Sequence, residues 1–321
     1  MKLKSLILIY LVVFHSLSFA DDNINKNKAL IEDMGNSIDA YVSSDKDAPK
    51  ILQHIQNLID QGVDPYVETE YAPMLEMPFA YGKPELMAVL LSRSHNKIGS
   101  KRWEYTGQLL IKAVAGTSQK NNERRVMVSS LLKAGANVNA RFNPDFNYTT
   151  PLYYAANDIS GVDVELMNML LNAGADMNLV KDEILITESA ANLKALKVLI
   201  QAGANPYAQN ANGVTPLDHV CPRMYDEIKP DPEAVERIQI LLNPKRDINI
   251  SGRIGHILLS SANSKNTDCL NALIQAGADV DAPAYPNAKE SVYEWERNRR
   301  ITYHATDEPI VLELFKKHSK K

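Results

Sequence analysis

Cysteine is nearly absent from this chain: 321 residues hold two, Cys221 and Cys269. Two thiols are too few for a Cys-based zinc site, and the histidines do not make up the shortfall. His15, His54, His95, His219, His256, His304 and His318 are scattered, and no His-x-x-x-His spacing occurs. Gly-x-Ser-x-Gly is missing, as is a phosphate-binding glycine loop, so no nucleophile elbow and no nucleotide cradle can be read. No metal or cofactor is expected, and no catalytic residue. Basic residues are not in excess either. The net charge is −4, and a chain that must neutralise phosphates needs a basic face, which argues against nucleic acid. Nor is there an apolar run of the ~20 residues that a spanning helix requires.

The longest apolar run, Leu6 to Phe14, follows Lys2 and Lys4 and precedes the small residues Ser18 and Ala20. A positive end, a short apolar core and small residues before a cut describe a cleaved export signal. Cleavage is expected after Ala20, leaving a mature chain of 21–321 with a net charge of −6, periplasmic or secreted and with no membrane insertion. An exported chain meets an oxidising compartment. Cys221 and Cys269 could therefore bridge, stabilising the fold by about 4 kcal/mol on the chain-entropy model. The bland alternative is two small buried residues.

What the chain has in abundance is one helix ending. Leu131-Leu132-Lys133-Ala134-Gly135-Ala136-Asn137 recurs as Leu170 to Asp176, Leu199 to Asn205 and Leu273 to Asp279, with a weaker copy at Leu58 to Asp64. Glycine takes positive φ without a Cβ clash, so each copy predicts a helix stop. Repeated at intervals of 29 to 39 residues, or twice 37 where one copy is missing, it predicts an array of like units. Ahead of these endings lie apolar stretches at helical spacing, such as Ile51, Leu52, Ile55, Leu58 and Ile59. Two stretches begin Thr150-Pro151-Leu152 and Thr215-Pro216-Leu217, a hydroxyl cap followed by proline at the first helical position.

On these residues the chain resembles the ankyrin-repeat proteins, whose unit of about 33 residues carries Thr-Pro-Leu-His-x-Ala. Tyr153 and Asp218 stand where that family has its histidine. The resemblance implies an all-α, ankyrin-type helix-turn-helix repeat solenoid of about eight units, filling 21–321, with degenerate capping units at both ends. It implies a module that binds a partner protein on its concave face, a monomer when free, and no enzyme.

Partners of that family usually dock on the turn tips and the exposed face of each first helix. The aromatic series Tyr66, Phe142, Phe146, Tyr148, Tyr207 and Tyr285 falls at those tips, and aromatic residues are enriched at binding hot spots. Arg141, Tyr153, Tyr154, Asn212 and Asp218 are their company on that surface. The excursion Pro222–Pro232 is long for a connector in such an array. A specific reading is an immunity or inhibitor protein for a periplasmic toxin or enzyme. The alternatives are a secreted effector that engages host proteins and, in another class, an enzyme using His219 with Asp218 and Asp226.

Overall fold

The computed structural model describes residues 28–43, 46–66, 73–93, 100–116, 121–141, 150–158, 161–178, 186, 189–210, 213–220, 232–242, 254–263, 267–284, 288–303 and 309–320. The fold is an all-α repeat fold. Among the described residues no strand occurs, only an isolated antiparallel bridge between Pro283 and Ser291. By internal contacts the chain divides into two compact units, 1–155 with 172–175, and 156–171 with 176–321.

In the first unit, α1 (Lys28–Ser43) pairs with α2 (Ala48–Asp60). A 3-10 turn (Met74–Glu76) runs into α3 (Met77–Tyr81), which pairs with α4 (Pro84–Leu90), and α5 (Ser100–Ala115) pairs with α6 (Asn121–Lys133). The second helices also pack in sequence, α2 on α4 and α4 on α6. Next come α7 (Pro151–Ala156) and α8 (Val164–Asn172). In the second unit, α9 (Leu193–Gln201) packs on α11 (Ala234–Leu242), α11 on α13 (Thr267–Gln275), and α13 on α15 (Pro309–His318). The first helices α10 (Pro216–His219), α12 (Ile254–Asn263) and α14 (Val292–Tyr303) each pair with the second helix that follows them. Each unit is thus a run of hairpins stacked side by side, as a repeat solenoid is built.

The core positions repeat with the helices. Counting back from the closing glycine, the fourth residue is Leu58, Leu131, Leu170, Leu199 or Leu273, and the seventh is Ile55, Val128, Met167, Leu196 or Leu270; all ten are buried. They lie three apart on one helical stripe, so one face of every second helix is apolar. Removing one such side chain should cost about 2–5 kcal/mol, because a close-packed site refills only in part.

The helix stop is the same device each time. The N–H groups of Gly62, Gly135, Gly203 and Gly277 donate to the carbonyls of Ile59, Leu132, Ile200 and Ile274 at 2.9–3.0 Å. The next N–H groups, on Val63, Ala136, Ala204 and Ala278, reach back to Leu58, Leu131, Leu199 and Leu273 at 2.9–3.1 Å. This paired closure satisfies carbonyls that a helix end leaves orphaned, and it needs a left-handed residue at the glycine. The φ values there run from +86° to +97°.

Two glycines inside first helices serve another purpose. A Cβ on Gly255 would lie 1.9 Å from the Pro283 carbonyl oxygen, and one on Gly107 would lie 2.6 Å from the Ala140 Cβ. Here α12 and α5 approach the turn that closes their own pair, and only a residue without a side chain fits. Gly255→Ala should therefore destabilise the second unit by at least about 3 kcal/mol through overpacking. Gly203→Ala, where the added Cβ meets nothing within 4 Å, should cost only the backbone strain of about 1–2 kcal/mol. Urea melts of the two variants check this ordering, and the reverse order would contradict it.

Candidate partner-binding surface

After each closing glycine the chain makes one more standard bend. The side-chain Oδ1 atoms of Asp64, Asn137, Asp176, Asn205 and Asp279 accept the N–H of the second residue on, at 2.8–3.1 Å. A short polar side chain that bonds its own backbone in this way imitates a backbone turn. Each Gly-x-Asx that closes a second helix has this role, and these Asx residues are structural.

The residue four after each glycine then projects from a fixed turn: Tyr66, Asn139, Asn178, Tyr207 and Asp281. Tyr66 is only 4% exposed. Burial makes it part of the packing of its own unit, which corrects its expected place among the contact residues. Asn139 Nδ2 donates to the Gly174 carbonyl at 3.2 Å, and Asp281 accepts Ser319 Oγ and the Lys320 N–H, each at 2.7 Å. These two side chains tie one repeat to the next and hold the C-terminal tail against the turn after α13. Tyr207 is half-buried.

The first helices carry the rest of the surface. Thr150 caps α7 by accepting the Tyr153 N–H on its hydroxyl at 3.2 Å. That places Tyr153 and Tyr154 in successive positions, both half-buried, with rings edge to face at 6.2 Å between centroids. Arg141 is half-buried. Tyr81, at the end of α3, is 46% exposed and was not singled out by its sequence context. Its signal is the glycine after it, since Gly82 at φ +61° stops the helix and leaves Tyr81 at its rim.

Charged neighbours knit the first helices together. In the first unit Lys112 of α5 pairs with Glu76 and stands 5.6 Å from the Phe79 ring centroid, while Lys83 stands 5.3 Å from that of Tyr41. Such half-exposed pairs contribute little stability each. Two arginines are different. Arg124 donates to the Val114 carbonyl at 3.4 Å, and Arg237 donates through Nε to the Val220 carbonyl at 2.9 Å; both are buried. Each cation meets the C-terminal end of the first helix of its own pair, where the helix dipole is negative. Sequence reasoning passed over both, although an arginine inside Val235-Glu236-Arg237-Ile238 is a signal of such a bond.

Asp218 is taken up by its own helix. Its Oδ2 accepts both the N–H and the hydroxyl of Thr215 at 2.8 Å, and its Oδ1 lies 3.8 Å from His256 Nδ1. In the first pair His54 Nε2 bonds Asp33 at 3.0 Å beside an open hollow of about 340 Å³ lined by Asn36, Ser37, Ala40, Lys50 and Ile51. Among the described residues no group of three or more His, Cys, Asp or Glu is placed to hold a metal ion, and no helix is long and apolar enough to cross a membrane. Residues 1–20, Phe142, Phe146, Tyr148, Asn212, Cys221, Asp226, Tyr285 and the excursion through 231 lie outside the described residues. Cys269 is buried and disulfide-bonded.

Residues 147–182 match the family model for the ankyrin repeat. The match supports an ankyrin-repeat protein. It covers the stretch that holds the Thr150 cap, the Tyr153–Tyr154 pair and the Gly174 closure, so the best-formed part of the candidate surface lies in the matched ankyrin repeat. Ankyrin repeats suggest a protein–protein interaction module and are generally non-catalytic scaffolds. No curated protein matches the chain.

The capping role of Asp218 is open to a direct test. Asp218→Ala should destabilise the second unit by about 1 kcal/mol, the usual value of a lost cap, with Asp218→Asn recovering part of it. Equal stability of the wild-type and Ala proteins in urea would remove the capping assignment.

Proposed function

We propose that this chain is an exported binding module of about eight ankyrin-type units that recognises a partner protein on the exposed face of its first helices. The observation that carries this reading is the set of half-exposed or exposed tyrosines, Tyr81, Tyr153 and Tyr154, standing on first helices. A tyrosine presents a large apolar area with a hydroxyl at its tip and has few rotamers to lose, which is why such residues dominate binding energy. Arg141 belongs with them in the first unit, and Tyr207, Phe142, Phe146, Tyr148, Asn212 and Tyr285 are assigned to the surface from the sequence. Asp218 contributes mainly by holding α10 in place.

The N-terminal Lys2, Lys4 and Leu6–Phe14 pattern supports export with cleavage after Ala20, and a disulfide-bonded Cys269 agrees with an oxidising compartment. In that setting the role that suits a small binding module is to occupy the active cleft of a toxin or enzyme, as an immunity or inhibitor protein. The secreted-effector reading shares the same surface and differs in where the partner is met.

A photo-crosslinking residue placed at Tyr81 or Tyr154 in the exporting cell should yield one adduct of defined mass, and the mature chain should begin at Asp21. The same residue at Val235, an exposed apolar position on a second helix, should yield none. Against the partner so identified, Tyr153→Ala with Tyr154→Ala should weaken binding about 10- to 30-fold while the circular dichroism spectrum stays unchanged. Equal adducts from all positions, or unweakened binding, would defeat the reading.

A further inference from the structure

We infer, building on the tyrosine-bearing surface proposed above, that one end of the α5–α6 pair is a basic edge that meets an acidic surface of the partner protein. From 100 to 141 eight residues are basic and two are acidic, a surplus of six in a chain whose total is −4. Part of this charge is engaged inside the array: Arg124 is buried against the Val114 carbonyl, and Lys112 pairs with Glu76.

Four more basic residues gather at one end of the pair. α5 opens Ser100-Lys101-Arg102, so its first turn carries two basic residues and no acidic one. Gly107, further along α5, lies against the turn after α6, since a Cβ there would stand 2.6 Å from the Ala140 Cβ and 3.2 Å from that of Asn137. At a rise of about 1.5 Å per residue, Lys101 and Arg102 sit about 8–9 Å before Gly107 along the helix axis. Arg141, half-buried, follows Ala140 at once, and Lys133, exposed, ends α6 two residues before the closing Gly135. Glu104 is the one acidic residue within 100–107 and 131–141.

The equivalent positions of the other glycine-closed pairs carry no cation. Where α6 has Lys133, they have Asp60, Asn172, Gln201 and Gln275; where Arg141 stands, six after the glycine, they have Glu68, Val180, Gln209 and Pro283. Nor do the two basic residues at the start of α5 serve their own helix, because a cation there opposes the helix dipole. Residues that work against their own element are expected at functional positions.

A short rim of Lys and Arg suits the carboxylates of an acidic protein surface, at the edge of a contact that tyrosines centre. Tyr153 and Tyr154 belong to the same compact unit as this edge. A nucleic acid would call for a longer basic face in a less acidic chain. Charges at the rim of an interface act mainly on the rate of association, by steering the approach.

Two experiments test the edge, the first with the mature chain alone. In isotope-labelled protein at low salt, hexaglutamate should shift the amide signals of 100–104, 133 and 141 ahead of all others, and about 0.3 M sodium chloride should suppress the shifts. Shifts that are absent, spread evenly or centred on 316–320 would overturn the assignment, as would binding of phosphatidylglycerol vesicles without binding of hexaglutamate. The second experiment uses the protein captured through Tyr154. The variant Lys101→Gln, Arg102→Gln, Lys133→Gln, Arg141→Gln should associate with it about tenfold more slowly at low salt, lose most of the salt dependence and dissociate at nearly the wild-type rate. Lys316→Gln with Lys317→Gln, exposed basic residues of α15, should change neither rate. A fourfold variant with an unchanged circular dichroism spectrum, wild-type rate and wild-type salt dependence would overturn the edge and leave the tyrosine surface standing. Absence of any Tyr154 adduct would tell against the binding reading, with the hexaglutamate shifts still deciding the edge.

Discussion

A single backbone constraint recurs through the molecule: the second helix of a pair must stop at a fixed point and turn the chain away. Glycine at positive φ makes that possible, and the two reversed hydrogen bonds around it satisfy carbonyls that would otherwise be orphaned. Because the stop is fixed, the leucine four residues earlier always faces the core, and the Asx residue two later always forms the turn. The position four after the glycine then follows the same turn in each glycine-closed pair. It is the point where the sequence is free to vary, and it carries Tyr66, Asn139, Asn178, Tyr207 and Asp281.

This frame explains which interactions hold the pairs to one another. Apolar burial on the second helices supplies the continuous part, and the variable turn position supplies specific ties such as Asn139 to Gly174 and Asp281 to the C-terminal tail. Where a first helix runs close to a turn, space sets the residue type, as at Gly255 and Gly107. Where a first helix ends inside the core, a buried arginine meets its carbonyl, as at Val114 and Val220. On the proposed reading, binding and stability draw on different residues, since the tyrosines of α3 and α7 stand on helices that other groups hold in place.

Much of this was legible in the sequence because the signals are local. A glycine after two leucines, a threonine before a proline and apolar residues three and four apart each specify their own few residues, and the helix ends follow. The Tyr153–Tyr154 pair was legible for the same reason, being fixed by the Thr150 cap. What sequence reasoning missed depends on neighbours in space. Tyr66 and Tyr207 look alike in sequence, both at the same turn position, yet one is buried and the other half-buried. The close approach at Gly255 is set by Pro283, 28 residues away, and no local pattern records it. Tyr81 escaped notice because its pair departs from the common pattern, opening with a 3-10 turn and closing its first helix, not its second, at a glycine.

Residue-resolved amide hydrogen exchange tests the repeated closure most directly. The N–H groups of Val63, Ala136, Ala204 and Ala278 each reach back to a leucine carbonyl, so all four should exchange far more slowly than in an unstructured chain, by similar factors within each compact unit. Exchange of these four at the rates of a free peptide, while the amides inside their helices stay protected, would contradict the claim that the glycine-closed ends build the frame.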